Sequence, residues 1–156
     1  MTDLKQILVP TDFSDNAGLA LQYAGSLAEH YGARIHLLHV IPDPTTAMGI
    51  YEQISDAIPP DWLDTMQHHS NNQLDETVRK ECGDVDNVIK TTAQGDTFTE
   101  ITRYARDNAV DLIIIGTHGR TATPHHMLGS LADKVFRKAP CPVMTVPAGD
   151  HEFSMP

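Results

Sequence analysis

The sequence predicts an α/β domain in which five strands alternate with four helices around a parallel sheet covered on both faces. Three observations carry that expectation. Five short apolar runs, bounded by proline, glycine or turn residues, read as buried strands. Between them lie stretches whose apolar residues recur at helical spacing. The order is βαβαβαβαβ, and strands joined through helices run parallel with right-handed crossovers.

Gln6-Ile7-Leu8-Val9-Pro10 is the first run, ended by its proline and a turn. Ser14 has the side chain to cap the next helix, whose apolar positions are Ala17, Ala20, Leu21, Ala24, Leu27, Ala28 and Tyr31. Gly32 stops that helix, and Arg34 to Ile41 is the second strand, broken by Pro42-Asp43-Pro44. Residues 42–58 carry little periodicity and read as a long loop, a kind that in compact domains is usually functional or mobile. A helix is expected from Trp62 to about Cys82, with a stripe of Leu63, Met66, Leu74 and Val78 that fades through His68 to Gln73.

Val85 to Ala93 is the third strand, alternating in character. Asp96 or Thr97 opens a helix carrying Phe98, Ile101, Tyr104, Ala105 and Ala109. Asp111 to Ile115 is the clearest buried strand. Gly116 to Leu128 is a loop rich in glycine, threonine and histidine. Ser130 begins the last helix, with Leu131, Ala132, Val135 and Phe136 inward and Lys134, Arg137 and Lys138 outward. Ala139-Pro140 ends it, and Pro142 to Pro147 is the final strand. One domain over residues 1–148 is expected, followed by a short tail at 149–156.

Composition narrows the function. The chain has 156 residues, enough for a real core without staples, and is 40% apolar. Its 21 acidic residues against 11 basic ones give a formal charge of −10, which argues against nucleic acid as a partner. No apolar run approaches the ~20 residues of a membrane span. The start Met1-Thr2-Asp3-Leu4-Lys5 lacks the pattern of an export signal. Cys82 and Cys141 have no metal or CxxC spacing, so a reducing cytoplasmic setting is expected.

The charge is unevenly placed. Residues 42–92 hold ten acids and three bases, −7 of the −10, whereas residues 103–138 hold six bases and three acids, or +3. An anion is therefore to be sought in the later part of the chain.

In an open parallel sheet, ligands bind at the carboxyl ends of the strands, where the winding reverses. Two segments lie at such ends. Pro10-Thr11-Asp12-Phe13-Ser14 follows the first strand, and residues 116–130 follow the fourth. In the second, glycines let a ligand approach backbone N–H groups, and Gly129-Ser130 stands where the last helix presents its unpaired N–H groups and positive dipole end. Arg120 is the one well-placed cation there. Neither GxGxxG after the first strand nor GxxxxGK[ST] is present, and the glycines alone also fit ordinary turns and a helix cap.

The spacing Gly116-x-x-Gly119, nine residues, then Gly129-Ser130 reproduces G-2x-G-9x-G-[S/T], and with it the chain resembles the universal stress protein family. The resemblance extends to Ile7-Leu8-Val9-Pro10-Thr11-Asp12-Phe13-Ser14, Leu37-Leu38-His39-Val40, Ala109 to Gly119, and Ala139-Pro140-Cys141-Pro142-Val143. It implies a doubly wound, Rossmann-like, adenine nucleotide alpha hydrolase-like fold with strand order 3-2-1-4-5. It also implies a cytoplasmic stress-response role and a homodimer formed through the last strand.

Members with the glycine motif typically bind ATP, so the resemblance implies ATP, with ADP or AMP as alternatives, together with Mg2+. Carried over residue by residue, Asp12 would contact the adenine or ribose side, with Pro10 and Thr11 shaping the turn. The backbone around Val40 would read the adenine edge, and Gly116 would lie by the ribose. Gly119, Gly129, Ser130 and Leu131 would cradle the phosphates, with Thr117, His118 and Arg120 in the same loop. The chain departs from the family where a basic residue often follows the second glycine: Ala122, Thr123 and Pro124 stand there, then His125 and His126.

Other residues invite quieter readings. Of nine histidines, His68 and His69 on a helix point about 100° apart, and His36 and His39 on a strand face opposite sides. No dedicated metal site is expected; magnesium arriving with a triphosphate fits better. Cys82 and Cys141 read as structural thiols, and Trp62 and Tyr51 as staples around the long loop. No P-loop lysine or acid pair suggests phosphoryl transfer. The sequence thus points to a nucleotide-dependent regulatory protein with an unknown protein partner. The alternatives are a dimeric interaction module that binds no nucleotide, or a slow ATPase.

Overall fold

Successive residues of the central strands serve opposite faces of the sheet, and both faces are buried. Ile7 and Val9 belong with Ile35, Leu37 and Ile114 to one core; Leu8 belongs with Leu38, Val40, Ile113 and Ile115 to the other. In this computed structural model, residues 3–44, 58–83, 86–118 and 129–148 are described. They form β1 (Gln6–Pro10), α1 (Asp15–Tyr31), β2 (Arg34–Ile41), α2 (Trp62–Cys82), β3 (Val88–Gln94), α3 (Thr97–Asp107), β4 (Leu112–Gly116), α4 (Ser130–Lys138) and β5 (Val143–Val146). The sheet is all parallel in the order β3-β2-β1-β4-β5, as expected for a doubly wound fold. Winding reverses between β1 and β4.

Local chemistry sets most boundaries. The Ser14 side chain accepts the Ala17 N–H to cap α1, and Gly32 ends that helix at φ 68°. Asp96 caps α3 by accepting the Thr99 N–H at 2.9 Å. In α1, Ala20, Leu21, Ala24 and Ala28 pack under the sheet, and α2 adds Leu74 and Val78 to the same core. Opposite them, Ile101 and Ala105 of α3 and Ala132 and Val135 of α4 close the second core. None of the helices described is long and apolar enough to cross a membrane.

Five expectations are corrected. Asp111 precedes β4, and its carboxylate accepts the N–H groups of Lys5 and Gln6, each at 2.8 Å, which ties the start of β1 to β4. Ala109 lies past the end of α3, at φ 48° in the turn that leads to β4. Phe136 is 58% exposed, because α4 packs on the last strand and no described element lies beyond it. Tyr31, in the last turn of α1, is likewise exposed. β3 begins at Val88; Val85, like most of the 42–58 loop, Tyr51, residues 119–128 and the 149–156 tail, lies outside the described residues.

Candidate functional site

A cleft of about 860 Å3 opens at the carboxyl ends of the strands, where the winding reverses, a size usual for small-molecule sites. Pro10, Thr11, Asp12 and Val40 line it from the ends of β1 and β2. Gly116, Thr117 and His118 line it from the end of β4, and Gly129, Ser130 and Leu131 from the start of α4. The structure thus gathers these ten residues around one space. Gly119 and Arg120 lie outside the described residues, as do Ala122 to His126.

The turn after β1 is held from several directions. The Thr11 N–H donates to the Leu38 carbonyl at 2.8 Å, and the Thr11 hydroxyl accepts the Phe13 N–H at 3.0 Å. Asp12 Oδ1 accepts the Ser14 N–H at 3.0 Å, so Asp12 acts as a turn residue while facing the cleft. His39 Nδ1 lies 2.8 Å from the Thr11 carbonyl, which can only accept, so that nitrogen carries the proton. Phe13 adopts φ 65°, a left-handed conformation unusual for a bulky residue, with its ring 4.4 Å from the His39 ring. Strain of this kind persists only where neighbours over-determine it, and it clusters at ligand sites.

The opposite wall depends on two close approaches. A β-carbon on Gly116 would stand 2.8 Å from Asn16 Oδ1 and 3.1 Å from the Asn16 carbonyl. One on Gly129 would stand 2.7 Å from the Thr117 carbonyl, which accepts the Gly129 N–H at 2.7 Å. Both glycines therefore have a packing role independent of any ligand. The Thr117 hydroxyl and His118 Nδ1 are paired at 2.8 Å. Behind them, buried Asn16 accepts the His118 N–H at 2.9 Å.

The N-terminus of α4 opens into this wall. Its cap residue, Gly129, has no side chain to accept a first-turn N–H, so no side-chain cap stands there among the described residues. Together with the helix dipole, first-turn N–H groups suit an anion. Among the described residues that line the cleft, none is lysine or arginine; the charged or titratable ones are Asp12, His39, His69, His118 and Asp133. Asp133 is engaged with Arg137 at 2.9 Å. No three His, Cys, Asp or Glu side chains among the described residues form a group able to hold a metal.

Several lining residues escaped the sequence reading. Met66, His69, Ser70 and Gln73 of α2 form a wall, and Phe13 and His39 a shelf. The α2 wall falls where the apolar stripe fades, and that fading was its signal. Asn16, a buried polar residue in the first turn of α1, was also missed, because its burial belongs to the fold and not to the local sequence.

Away from the cleft, buried His36 bridges Tyr104, whose hydroxyl lies 2.9 Å from Nδ1, and Gln6, whose amide oxygen lies 2.7 Å from Nε2. Burial, and secondarily the Arg34 charge, lower its pKa. The Cys82 and Cys141 thiols are pushed up, first by burial and then by nearby Glu81 and Asp111 respectively, which keeps them protonated and weakly reactive.

A family model described as the universal stress protein family matches residues 3–147. Universal stress protein MJ0577 of Methanocaldococcus jannaschii is 29% identical over 154 residues, covering 91% of this chain and 94% of that protein. Its solved structure matches with a TM-score of 0.78, over 96% of this chain and 100% of that one. Two more distant structures share the fold. A universal stress protein in complex with cAMP matches at 18% identity and TM-score 0.66, over 94% and 98% of the two chains. The universal stress protein from Archaeoglobus fulgidus in complex with dAMP matches at 20% identity and TM-score 0.61, over 93% and 99%.

Proposed function

The chain belongs to the universal stress protein family, and from that premise we propose that it is an adenine-nucleotide-binding regulatory protein that takes ATP in the cleft above β1 and β4. The observation that carries this reading is the α4 N-terminus, without a side-chain cap and opening into a cleft at the winding reversal. Solved relatives of the same fold hold cAMP and dAMP, which supports an adenine nucleotide as the ligand class.

In this reading, phosphates sit against the N–H groups of Gly129, Ser130 and Leu131, with Gly119 and Arg120 completing the cradle. Asp12 and Gly116 meet the ribose, and the Val40 backbone meets the adenine edge. Thr117 and His118 shape the wall between them. The donor set fits a phosphate: helix-end N–H groups, and glycines where side chains would collide with backbone. Magnesium, when bound, neutralises charge on the triphosphate and travels with it.

The nucleotide acts as a signal more than a fuel. Phosphoryl transfer needs dense cationic stabilisation, and the described lining residues, with the Asp12 and Asp133 carboxylates, imidazoles and helix-end N–H groups, include no lysine or arginine. The regulated assembly is a homodimer. β5 is an edge strand of the sheet among the described residues, and exposed Phe136 stands on the helix packed against it. The setting is the cytoplasm and the role a stress response, as for the family.

Calorimetric titration with ATP, ADP and AMP in magnesium buffer tests the reading, alongside the mass of any nucleotide released from the purified protein. Dissociation constants at or below the millimolar level support it. Absence of binding for all three removes it and leaves a dimeric interaction module.

A further inference from the structure

α2 provides a wall of the cleft that the phosphate cradle does not use. Met66, His69, Ser70 and Gln73 recur at i, i+3, i+4 and i+7, the spacing of one helical face, and all four line the cleft. One turn on, the same helix buries Leu74 and Val78 in the core. Its inner face therefore changes from apolar to polar where it passes from core to cleft. Ser70 is 1% exposed and His69 is exposed, so the polar stretch runs from the buried interior to the open mouth.

Position along the sheet decides which part of a ligand meets this wall. α2 packs against β2 and β3, whereas α4 packs against β5. The strand order β3-β2-β1-β4-β5 sets the two helices at opposite ends of the cleft. With phosphates held at the α4 N-terminus, the nucleoside extends toward β2 and α2. We infer that His69 and Gln73 contact the nucleoside part of the bound nucleotide and set which base the cleft accepts. The inference rests on the nucleotide reading above.

The chemistry suits base selection. A glutamine amide offers two donors and an acceptor, and a neutral imidazole one of each. A purine edge presents donors and acceptors in an order that differs between adenine and guanine. A site built to pair one order leaves polar groups unpaired with the other, which is how hydrogen bonds discriminate.

The test uses the full chain and the variants His69→Ala and Gln73→Leu, titrated with ATP, ADP and GTP in magnesium buffer. Wild type is expected to prefer ATP over GTP. Each variant is expected to weaken ATP about five- to tenfold and to narrow the ATP-to-GTP ratio, while the ATP-to-ADP ratio, which reports on the phosphate end, stays constant. Thermal unfolding verifies that each variant is folded, and His69→Ala changes an exposed side chain. Unchanged ATP affinity, a shift in the ATP-to-ADP ratio instead, or no base preference in wild type overturns the inference. Failure of wild type to bind any of the three removes the nucleotide reading itself, so the two failures are told apart.

Discussion

Asn16 Oδ1 accepts the His118 N–H at 2.9 Å and stands 2.8 Å from where a β-carbon on Gly116 would be. One side chain at the start of α1 thus holds the end of β4 in place, from 102 residues away along the chain. The glycine at 116 and the asparagine at 16 are one device.

Replacing that asparagine leaves the half-buried His118 N–H without its acceptor and takes from the Val146 carbonyl the Nδ2 donor at 3.1 Å, leaving it the Thr117 N–H alone. Asn16→Ala is expected to cost about 2 kcal/mol, with a fall in Tm of about 4–8 °C for a chain of this size. Urea unfolding followed by circular dichroism measures it. A change within about 0.5 kcal/mol would mean that water replaces the side chain without loss.

Gly129→Ala pushes a methyl against the Thr117 carbonyl, a backbone group that cannot rotate away. The hydrogen bond between these two residues must lengthen, and the first turn of α4 shifts with it. We expect a folded protein with ATP affinity reduced at least about tenfold, read by calorimetry. Affinity equal to wild type would show that the phosphates sit elsewhere.

Stability is expected to fall on the acid side through His36. Its folded pKa is lowered, so the unfolded chain binds the proton more readily. The contribution is complete above the ordinary imidazole value of about 6.5 and disappears as pH falls through the lowered folded value. The urea midpoint should therefore drop between pH 7.5 and pH 5, with proton uptake on unfolding. In His36→Gln the drop should be shallower, and identical pH profiles for the two proteins would refute the assignment.

If β5 is where two copies meet, a charge on its neighbouring helix should separate them. Phe136→Asp is expected to raise the dimer dissociation constant at least about tenfold while leaving Tm, extrapolated to the monomer, nearly unchanged, because the ring is 58% exposed. Sedimentation velocity across a concentration series reads it. A monomeric wild type would dismiss the dimer.

Much of this architecture was legible along the chain, for a physical reason. Ser14, Gly32 and Asp96 act on groups within a few residues, so their chemistry can be read locally. The apolar runs are near-continuous because both sheet faces are covered, and that made the strands plain. Gly116 was visible as a permissive residue, but its reason, Asn16, is a contact across the fold that no local pattern contains.

The α2 wall shows the other limit. Fading of the stripe between His68 and Gln73 said that the helix leaves the core there, but a polar face meets water and a cleft in the same residues. Phe136 fell on the inward side by helical spacing, and that spacing holds no information on where the sheet ends.

The Val146 carbonyl accepts from both the Thr117 N–H, at 2.9 Å, and Asn16 Nδ2. The rim strand is therefore the latch for the innermost backbone of the cleft. Amide deuterium uptake at Thr117 should rise and fall with that of β5, since neither can open while this carbonyl is shared. A subunit gripping the outer side of β5 would slow exchange at Thr117 without touching it.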